Sequence, residues 1–501
     1  MRISRQEFLK LGILGAAGLL LPAGTFGIAY ARAHAAANLK SPPVDPFAVP
    51  LPVPPVLKPA RKDATTDYYE VTQRADKAEI LPGLETPVWG YEGVFPGPTI
   101  EARSGRTIVI RQKNGLPVPV STHLHGGVTP PESDGYPTDL VEPEGYKDYV
   151  YPNEQRASTH WYHDHRMDFT GPQVWRGLAG FYLIRDDEED ALPLPKGEKD
   201  VPVMIADRLF AEDGSFYYPS LDPSLAGEPG VLGAYSDGVL GDTILVNGAV
   251  QPFFEVSNTR YRFRFLNASN ARRYRLALDS GRPLVQVGSD GGLLSAPQAL
   301  RSMRISPAER FDVVVDFSEY PVGSKVVLKN LLGKGSTADV MRFDVVRNEK
   351  DESEVPAELA SLEELDPFEA AATRSFQFER NVPGGPWVIN GKRFDPGRMD
   401  ARPRLGSTEV WTLDMGFGGL RHPDGVAHPV HLHLVRFRVL DRNGEKPFPE
   451  DAGWKDTVDL LLPHERVRVA ARFSGYRGRY AFHCHNLEHE DMRMMGNFEV
   501  V

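Results

Sequence analysis

Eight of the chain's 14 histidines fall into four His-x-His pairs: His123/His125, His163/His165, His431/His433 and His483/His485. At this histidine frequency chance would give ~0.4 such pairs, so the repetition asks for a chemical explanation. On a β-strand residues i and i+2 point to one face, and each pair therefore presents two imidazoles side by side. Neutral imidazole binds copper, zinc, iron or nickel, and four converging pairs could hold one metal cluster. Surface or satisfied core histidines would account for one pair but not for four.

The single cysteine narrows the choice of metal. Cys484 lies between His483 and His485, so on a strand its sulfur faces away from both rings, and a second site must sit back to back with the first. His428 precedes His431 by an odd offset that puts it on the sulfur's side, and His489 and Met494 follow Cys484 at five-residue steps. Two imidazoles, a thiolate and a weak axial thioether form the donor set of blue-copper electron-transfer sites. Neighbouring Met492 and Met495 are expected to be core. No histidine occurs between His165 and His422, so the two ends of the chain must fold back onto one another to assemble the cluster.

The elements that would position these groups are strands. Thr107-Ile108-Val109-Ile110-Arg111, Tyr261-Arg262-Phe263-Arg264-Phe265 and Arg466-Val467-Arg468-Val469-Ala470 alternate with the period of half-buried strands. The 47 glycines and 43 prolines suit many short strands with frequent turns. A length of 501 residues predicts about three domains. Three similar passages, Phe95 to Glu101, Val246 to Pro252 and Val388 to Phe394, point to three copies of one β-sandwich. Trp161-Tyr162-His163-Asp164-His165 also parallels Ala481-Phe482-His483-Cys484-His485. The division expected is 38–186, 187–347 and 372–501, with the acidic stretch 348–371 as a linker and Asp186 to Asp190 as a shorter junction. The proline-rich segment Ser41 to Pro59 is expected as an extended arm over the first domain. One cysteine permits no internal disulfide, so stability must come from buried core.

The formal charge is −11, while residues 1–35 hold four bases (Arg2, Arg5, Lys10, Arg32) against Glu7. An acidic body without a basic stripe excludes nucleic acid and anionic membranes as partners. Residues 1–37 read as an export signal: Arg2, Arg5 and Lys10, then the apolar run Leu11 to Leu21, then Ala29-Tyr30-Ala31 and Ala35-Ala36-Ala37. The run is shorter than the ~20 residues of a membrane span, so no membrane anchor is expected. Ser4 to Lys10 resembles the twin-arginine export motif with Gln6 in place of the second arginine, leaving general secretion as the rival route to a cell-wall, periplasmic or extracellular location.

His123-Leu124-His125-Gly126-Gly127, Trp161 to His165, His428-Pro429-Val430-His431-Leu432-His433 and His483-Cys484-His485 with His489 and Met494 resemble the four copper motifs of the multicopper oxidases. Ser133-Asp134-Gly135-Tyr136-Pro137, Val287 to Gly292 and His489-Glu490-Asp491-Met492 make the chain most similar to the bacterial spore-coat laccase and bilirubin oxidase group. The resemblance implies an all-β chain of three cupredoxin-like Greek-key β-sandwich domains with four copper ions. It makes His428, Cys484 and His489 the type 1 ligands with Met494 axial. His123 and His431 match the type 2 ligands, and His125, His163, His165, His433, His483 and His485 match the type 3 pair. His34, His160, His422 and His464 match no ligand position.

The implied reaction removes single electrons from small aromatic donors such as phenols, aromatic amines or bilirubin-like pigments, and reduces O2 to water. Cys484 would link the two copper sites through its neighbours His483 and His485. Four protons are consumed, and Glu490 and Asp134 resemble the family's proton-relay carboxylates. The His489 edge is expected to face a shallow donor site walled by the loop Gly416 to Ala427, and the protein to act as a monomer. Three other readings stand: a cuprous-ion oxidase, disfavoured by only 10 methionines and no methionine-rich insert; a non-enzymatic copper-storing or assembly protein, which would be expected to lose ligands; and a zinc hydrolase, in which Cys484 would have no purpose.

Overall fold

The alternation read from the sequence builds the strands of the computed structural model, which describes residues 39–380, 385–416, 426, 428–462 and 464–501. The expected export signal, His34, His422 and most of the loop Gly416 to Ala427 lie outside the described residues. Thr107–Asn114 buries every second side chain, as a half-buried strand should. Arg260–Asn267 departs from that pattern, because both of its faces are buried. Tyr261, Phe263 and Phe265 enter the core of the middle sandwich. Arg262 and Arg264 point the other way and reach Glu189 at 3.0 and 2.8 Å. Glu189 belongs to the short helix Asp187–Ala191, capped by the Asp186 carboxylate. The acidic junction is therefore an anchor whose buried charge is compensated by two arginines.

Each sandwich pairs two sheets over its own core. In the first, Arg61–Lys62, Thr66–Leu81, Leu84–Tyr91, Thr107–Asn114 and Tyr146–Tyr151 oppose Gly97–Arg103, Ala179–Arg185, Ser158–Asp164 and Thr122–His125. The middle one has seven- and five-stranded sheets. In the last, a five-stranded sheet opposes Thr457–Leu460, His428–Leu432, Gly478–Cys484 and Met495–Val500. An early strand pairs in parallel with a later one in every copy: Thr66–Leu81 with Thr107–Asn114, Asp200–Arg208 with Arg260–Asn267, and Ala372–Arg380 with Thr408–Met415. The chain is all-β, with three cupredoxin-like sandwiches and, among the described residues, three short α-helices. No helix among them is long and apolar enough to cross a membrane.

The repeated passages have a local cause in two of the three copies. Asn247-Gly248 and Asn390-Gly391 have positive φ at both residues, and their flanking residues pair as Val246 with Ala249 and Ile389 with Lys392. These are two-residue hairpins of the type that Asn-Gly favours. The first passage has no such turn and runs into the strand Gly97–Arg103.

The proline-rich arm corrects the expectation that it lies over the first domain alone. The Ser41 backbone N–H donates to Asp242 at 3.0 Å, and Phe47 and Leu51 donate to Gln251 and Phe253 at 2.8 and 2.7 Å. Leu51 is buried in the middle sandwich's core. Only beyond it does Leu57 reach Thr99 of the first sandwich, at 2.8 Å. The linker is pinned as well, since Leu359 is buried beside Leu194 and Leu293.

Candidate metal centre

Strand register brings the histidines together. In the first sandwich His123 lies opposite His163, and in the last His431 lies opposite His483. The two four-stranded sheets thus present matching imidazole faces, and all eight rings are buried. They sort into groups whose donor atoms lie within 4.8 Å: His125, His163 and His485; His165, His433 and His483; and His123, His431 and His433. All three groups mix residues from both ends of the chain. The middle sandwich supplies no imidazole to them.

The hydrogen bonds fix which nitrogen each ring offers. Nδ1 of His123 donates to the Asp134 carbonyl at 2.6 Å, that of His163 to the Asp164 carbonyl at 2.8 Å, and that of His431 to the Asp456 carbonyl at 2.9 Å. A carbonyl only accepts, so Nδ1 carries the hydrogen and Nε2 is left with a lone pair. Burial lowers the pKa of His123, His125, His163, His165, His431, His433 and His485, to about 3 for His163 and about 4 for His165. Ring nitrogens nevertheless face each other at close range: Nε2 of His123 and His431 are 3.4 Å apart, and Nε2 of His433 and His483 3.1 Å. Among the described residues His163 Nε2 and His125 Nδ1 have no hydrogen-bond partner. Such an arrangement fits a bound cation and is repulsive without one.

The second group lies on the opposite face of Gly478–Cys484, as the offsets require. Cys484 Sγ is 3.4 Å from His428 Nδ1 and 3.5 Å from His489 Nδ1, and the two nitrogens are 3.2 Å apart. All three residues are buried. Burial pushes the Cys484 thiol well above its usual range, so a thiolate there needs a metal to hold it. Met494 is buried in the same core as Cys484, and its carbonyl accepts the Cys484 N–H at 3.1 Å. Met495 packs instead with Tyr136 and Phe394, while Met492 is half-buried at the edge of the core holding Cys484.

His489 corrects the expectation of a solvent-facing edge. It is 0% exposed, and the Trp387 ring lies 4.1 Å from its own, held by an indole N–H to Ser236 carbonyl bond of 2.8 Å. Trp387 also meets His428 edge to face at 4.9 Å, and the Arg380 guanidinium sits 4.1 Å over the indole. The Asn390-Gly391 hairpin places Trp387 there. Of the unassigned histidines, His160 is buried and bonded to Ser158 Oγ and Gln155, whereas His464 is exposed.

Both expected carboxylates touch histidines. Asp134 Oδ2 is 2.8 Å from His433 Nδ1, and burial pushes this carboxyl well above the ordinary range. Glu490, on the short helix Leu487–Asp491, has Oε1 3.3 Å from His165 Nδ1 and Oε2 3.1 Å from His483 Nδ1. Thr170 Oγ1 donates to Oε1 at 2.7 Å. Burial alone would raise the Glu490 pKa, but the adjacent His165 and His483 shift it the other way, below the usual carboxylate range. Asp456 was not among the expected residues, yet its Oδ1 lies 3.0 Å from His125 Nε2. Trp161, stacked 4.2 Å from His163, was also missed as a neighbour of the cluster.

Known proteins with this arrangement decide the family. Profiles described as multicopper oxidase match residues 72–189, 224–337 and 364–501. A laccase of Bacillus subtilis (strain 168) is 39% identical over 527 residues, covering 91% of this chain and 99% of the relative. The chain belongs to the multicopper oxidase family. This multicopper oxidase is also 38% identical to a bilirubin oxidase of Albifimbria verrucaria, over 91% of its own length and 82% of the relative's. The crystal structure of a laccase from Pediococcus acidilactici superposes with a TM-score of 0.82 at 34% identity, covering 92% of this multicopper oxidase and 95% of that chain. The protein is a laccase-like multicopper oxidase, and copper is its cofactor.

Proposed function

We propose that four copper ions would be held: one by His428, Cys484 and His489 with Met494 as a weaker fourth donor, one by His123 and His431, and a pair by the groups His125/His163/His485 and His165/His433/His483. The observation that carries this reading is the set of buried imidazole nitrogens facing each other at 3.1 to 3.4 Å. We place the domains at 38–186, 187–347 and 372–501, with 348–371 as a linker and 1–37 as an export signal of an exported, monomeric enzyme.

Copper supplies one-electron uptake at the thiolate site and O2 reduction at the histidine cluster. The chain's own groups prepare both. Carbonyl oxygens of Asp134, Asp164 and Asp456 set the tautomers of His123, His163 and His431. Glu490 braces His165 and His483 and is placed to hand protons inward from its Oε atoms, with Thr170 holding one of them. Asp134 orients His433 through Oδ2 and His123 through its carbonyl. The dry wall of Trp387 beside His428 and His489 keeps water from the electron-entry side.

Small aromatic donors, phenols or aromatic amines and bilirubin-like pigments, are the proposed reductants. The test is a donor series with O2 uptake on protein reconstituted with copper, with the blue absorbance followed in parallel. Blue, copper-loaded protein that consumes O2 with phenols supports the reading. Protein that takes up zinc in preference and stays colourless overturns it.

A further inference from the structure

The middle sandwich contributes no imidazole, yet through one arginine it reaches Asp456, a carboxylate bonded to the cluster. Arg310 lies on the strand Arg310–Asp316 and is 0% exposed. Its Nη1 donates to Asp456 Oδ1 at 2.7 Å, and Nη2 bonds the other oxygen of the same carboxylate. Its remaining donors are also used: Nε goes to the Thr159 carbonyl at 2.9 Å, Nη1 to the Ala308 carbonyl at 3.0 Å and Nη2 to the Asp290 carbonyl at 3.2 Å. Asp290 accepts the Arg310 N–H at 2.8 Å and the Asp456 N–H at 3.2 Å, and takes the Lys455 ammonium at 3.2 Å.

Asp456 is the point where this frame meets the histidines. Its Oδ1 accepts from His125 Nε2 at 3.0 Å, and its carbonyl accepts from His431 Nδ1 at 2.9 Å. His125 therefore turns the opposite nitrogen, Nδ1, to the group it shares with His163 and His485. The backbone after His125 presses against the same ion pair: a Cβ on Gly126 would sit 2.8 Å from both Arg310 Nη2 and Asp456 Oδ2.

We propose that Arg310 is a positioning residue of the histidine cluster. Its two-pronged grip keeps the Asp456 carboxylate from rotating, and Asp456 in turn sets the tautomer and angle of His125 and His431. A bidentate guanidinium does this as a lysine cannot, since one ammonium fixes a point and not a plane. The blue-site histidine is tied to the middle sandwich separately: the His428 N–H donates to Asp459 at 3.1 Å, which Ser306 Oγ also reaches at 2.6 Å. Arg310 should thus act on one metal site and spare the other. The inference rests on the copper assignment proposed above.

The test compares copper-loaded full-length protein with Arg310→Met and Arg310→Lys. Total copper per chain, the blue absorbance, the type 2 electron paramagnetic resonance signal and the melting of the copper-free proteins are measured. Loss of such an outer support typically weakens metal binding roughly ten- to a hundred-fold. A chelator should therefore strip the non-blue copper from Arg310→Met at correspondingly lower concentration, with the type 2 signal altered and the blue band intact. Arg310→Lys should fall between, and it carries the test alone if Arg310→Met does not fold. Wild-type retention of the non-blue copper in the variant tested would overturn the proposal. Loss of both copper classes in step with copper-free melting would also overturn it, showing a merely structural role. Wild-type protein that binds only blue copper would refute the underlying assignment and this inference with it.

Discussion

Replacing Glu490 by Gln keeps the shape of the side chain and removes one acceptor. The carboxylate has one oxygen 3.3 Å from His165 Nδ1 and the other 3.1 Å from His483 Nδ1. An amide there carries no charge and turns an NH2 group toward His165 or His483, or toward the Thr170 hydroxyl, in place of a carboxylate oxygen. Leaving a buried polar partner unmatched costs about 1–3 kcal/mol. The variant should therefore hold its non-blue copper less tightly, and must be loaded to full occupancy before any rate is compared. Loss of proton transfer is a separate effect, worth ~10²- to 10⁴-fold in rate. Two stopped-flow experiments separate them. Fully reduced Glu490→Gln mixed with O2 should reoxidise at least ~ten-fold more slowly than wild type. Oxidised variant mixed anaerobically with donor should bleach its blue band at the wild-type rate. Normal reoxidation at full copper occupancy would refute the proton role, and slow anaerobic bleaching would move Glu490 to the donor side.

Cys484→Ser should abolish the blue colour and turnover while the sandwich stays folded, because serine is close to cysteine in size and its hydroxyl has His428 and His489 Nδ1 beside it as hydrogen-bond partners; absorbance and circular dichroism check it, and a surviving blue band would exclude the assignment. Met494→Leu should keep the blue site and raise its potential, since the axial thioether favours oxidised copper; electrochemistry that finds a lower potential would place another group on that axis. Glu309, buried beside Lys455 at 3.1 Å, has its pKa pushed up to about 7 by burial. Its folded pKa exceeds its unfolded one, so its contribution is most favourable in acid and declines as pH rises from about 4.5 to 7. Denaturant unfolding across this range should give a flatter profile for Glu309→Gln, and equal slopes would contradict the sign.

Much of the centre was legible because its geometry follows from strand periodicity. The same-face rule placed His483 and His485 together and Cys484 behind them, and the odd offset of His428 carried it to the sulfur's side. Other features depend on partners distant in sequence. Arg262 and Arg264 alternate like solvent-facing residues and become buried only because Glu189 arrives from the junction helix. Arg310 and Asp456 look equally ordinary until three sandwiches converge on Gly126. The choice between Nδ1 and Nε2 is set by carbonyl groups that carry no sequence signal. Trp387 was overlooked because an aromatic residue before an Asn-Gly turn reads simply as core, and the donor edge was misplaced for that reason.

The arm that threads over the middle sandwich has a consequence for the order of events during synthesis. Ser41 and Asp242 are 201 residues apart, and Leu51 fills a core whose strands run from Val201 to Val345. The arm leaves the ribosome well before the strands it docks on, yet cannot dock until the middle sandwich exists, whereas domains usually settle in the order they are made. Until then its apolar residues lack their partners in the middle sandwich, and a cut in the chain beyond Phe47 would remove part of the seal on the middle core.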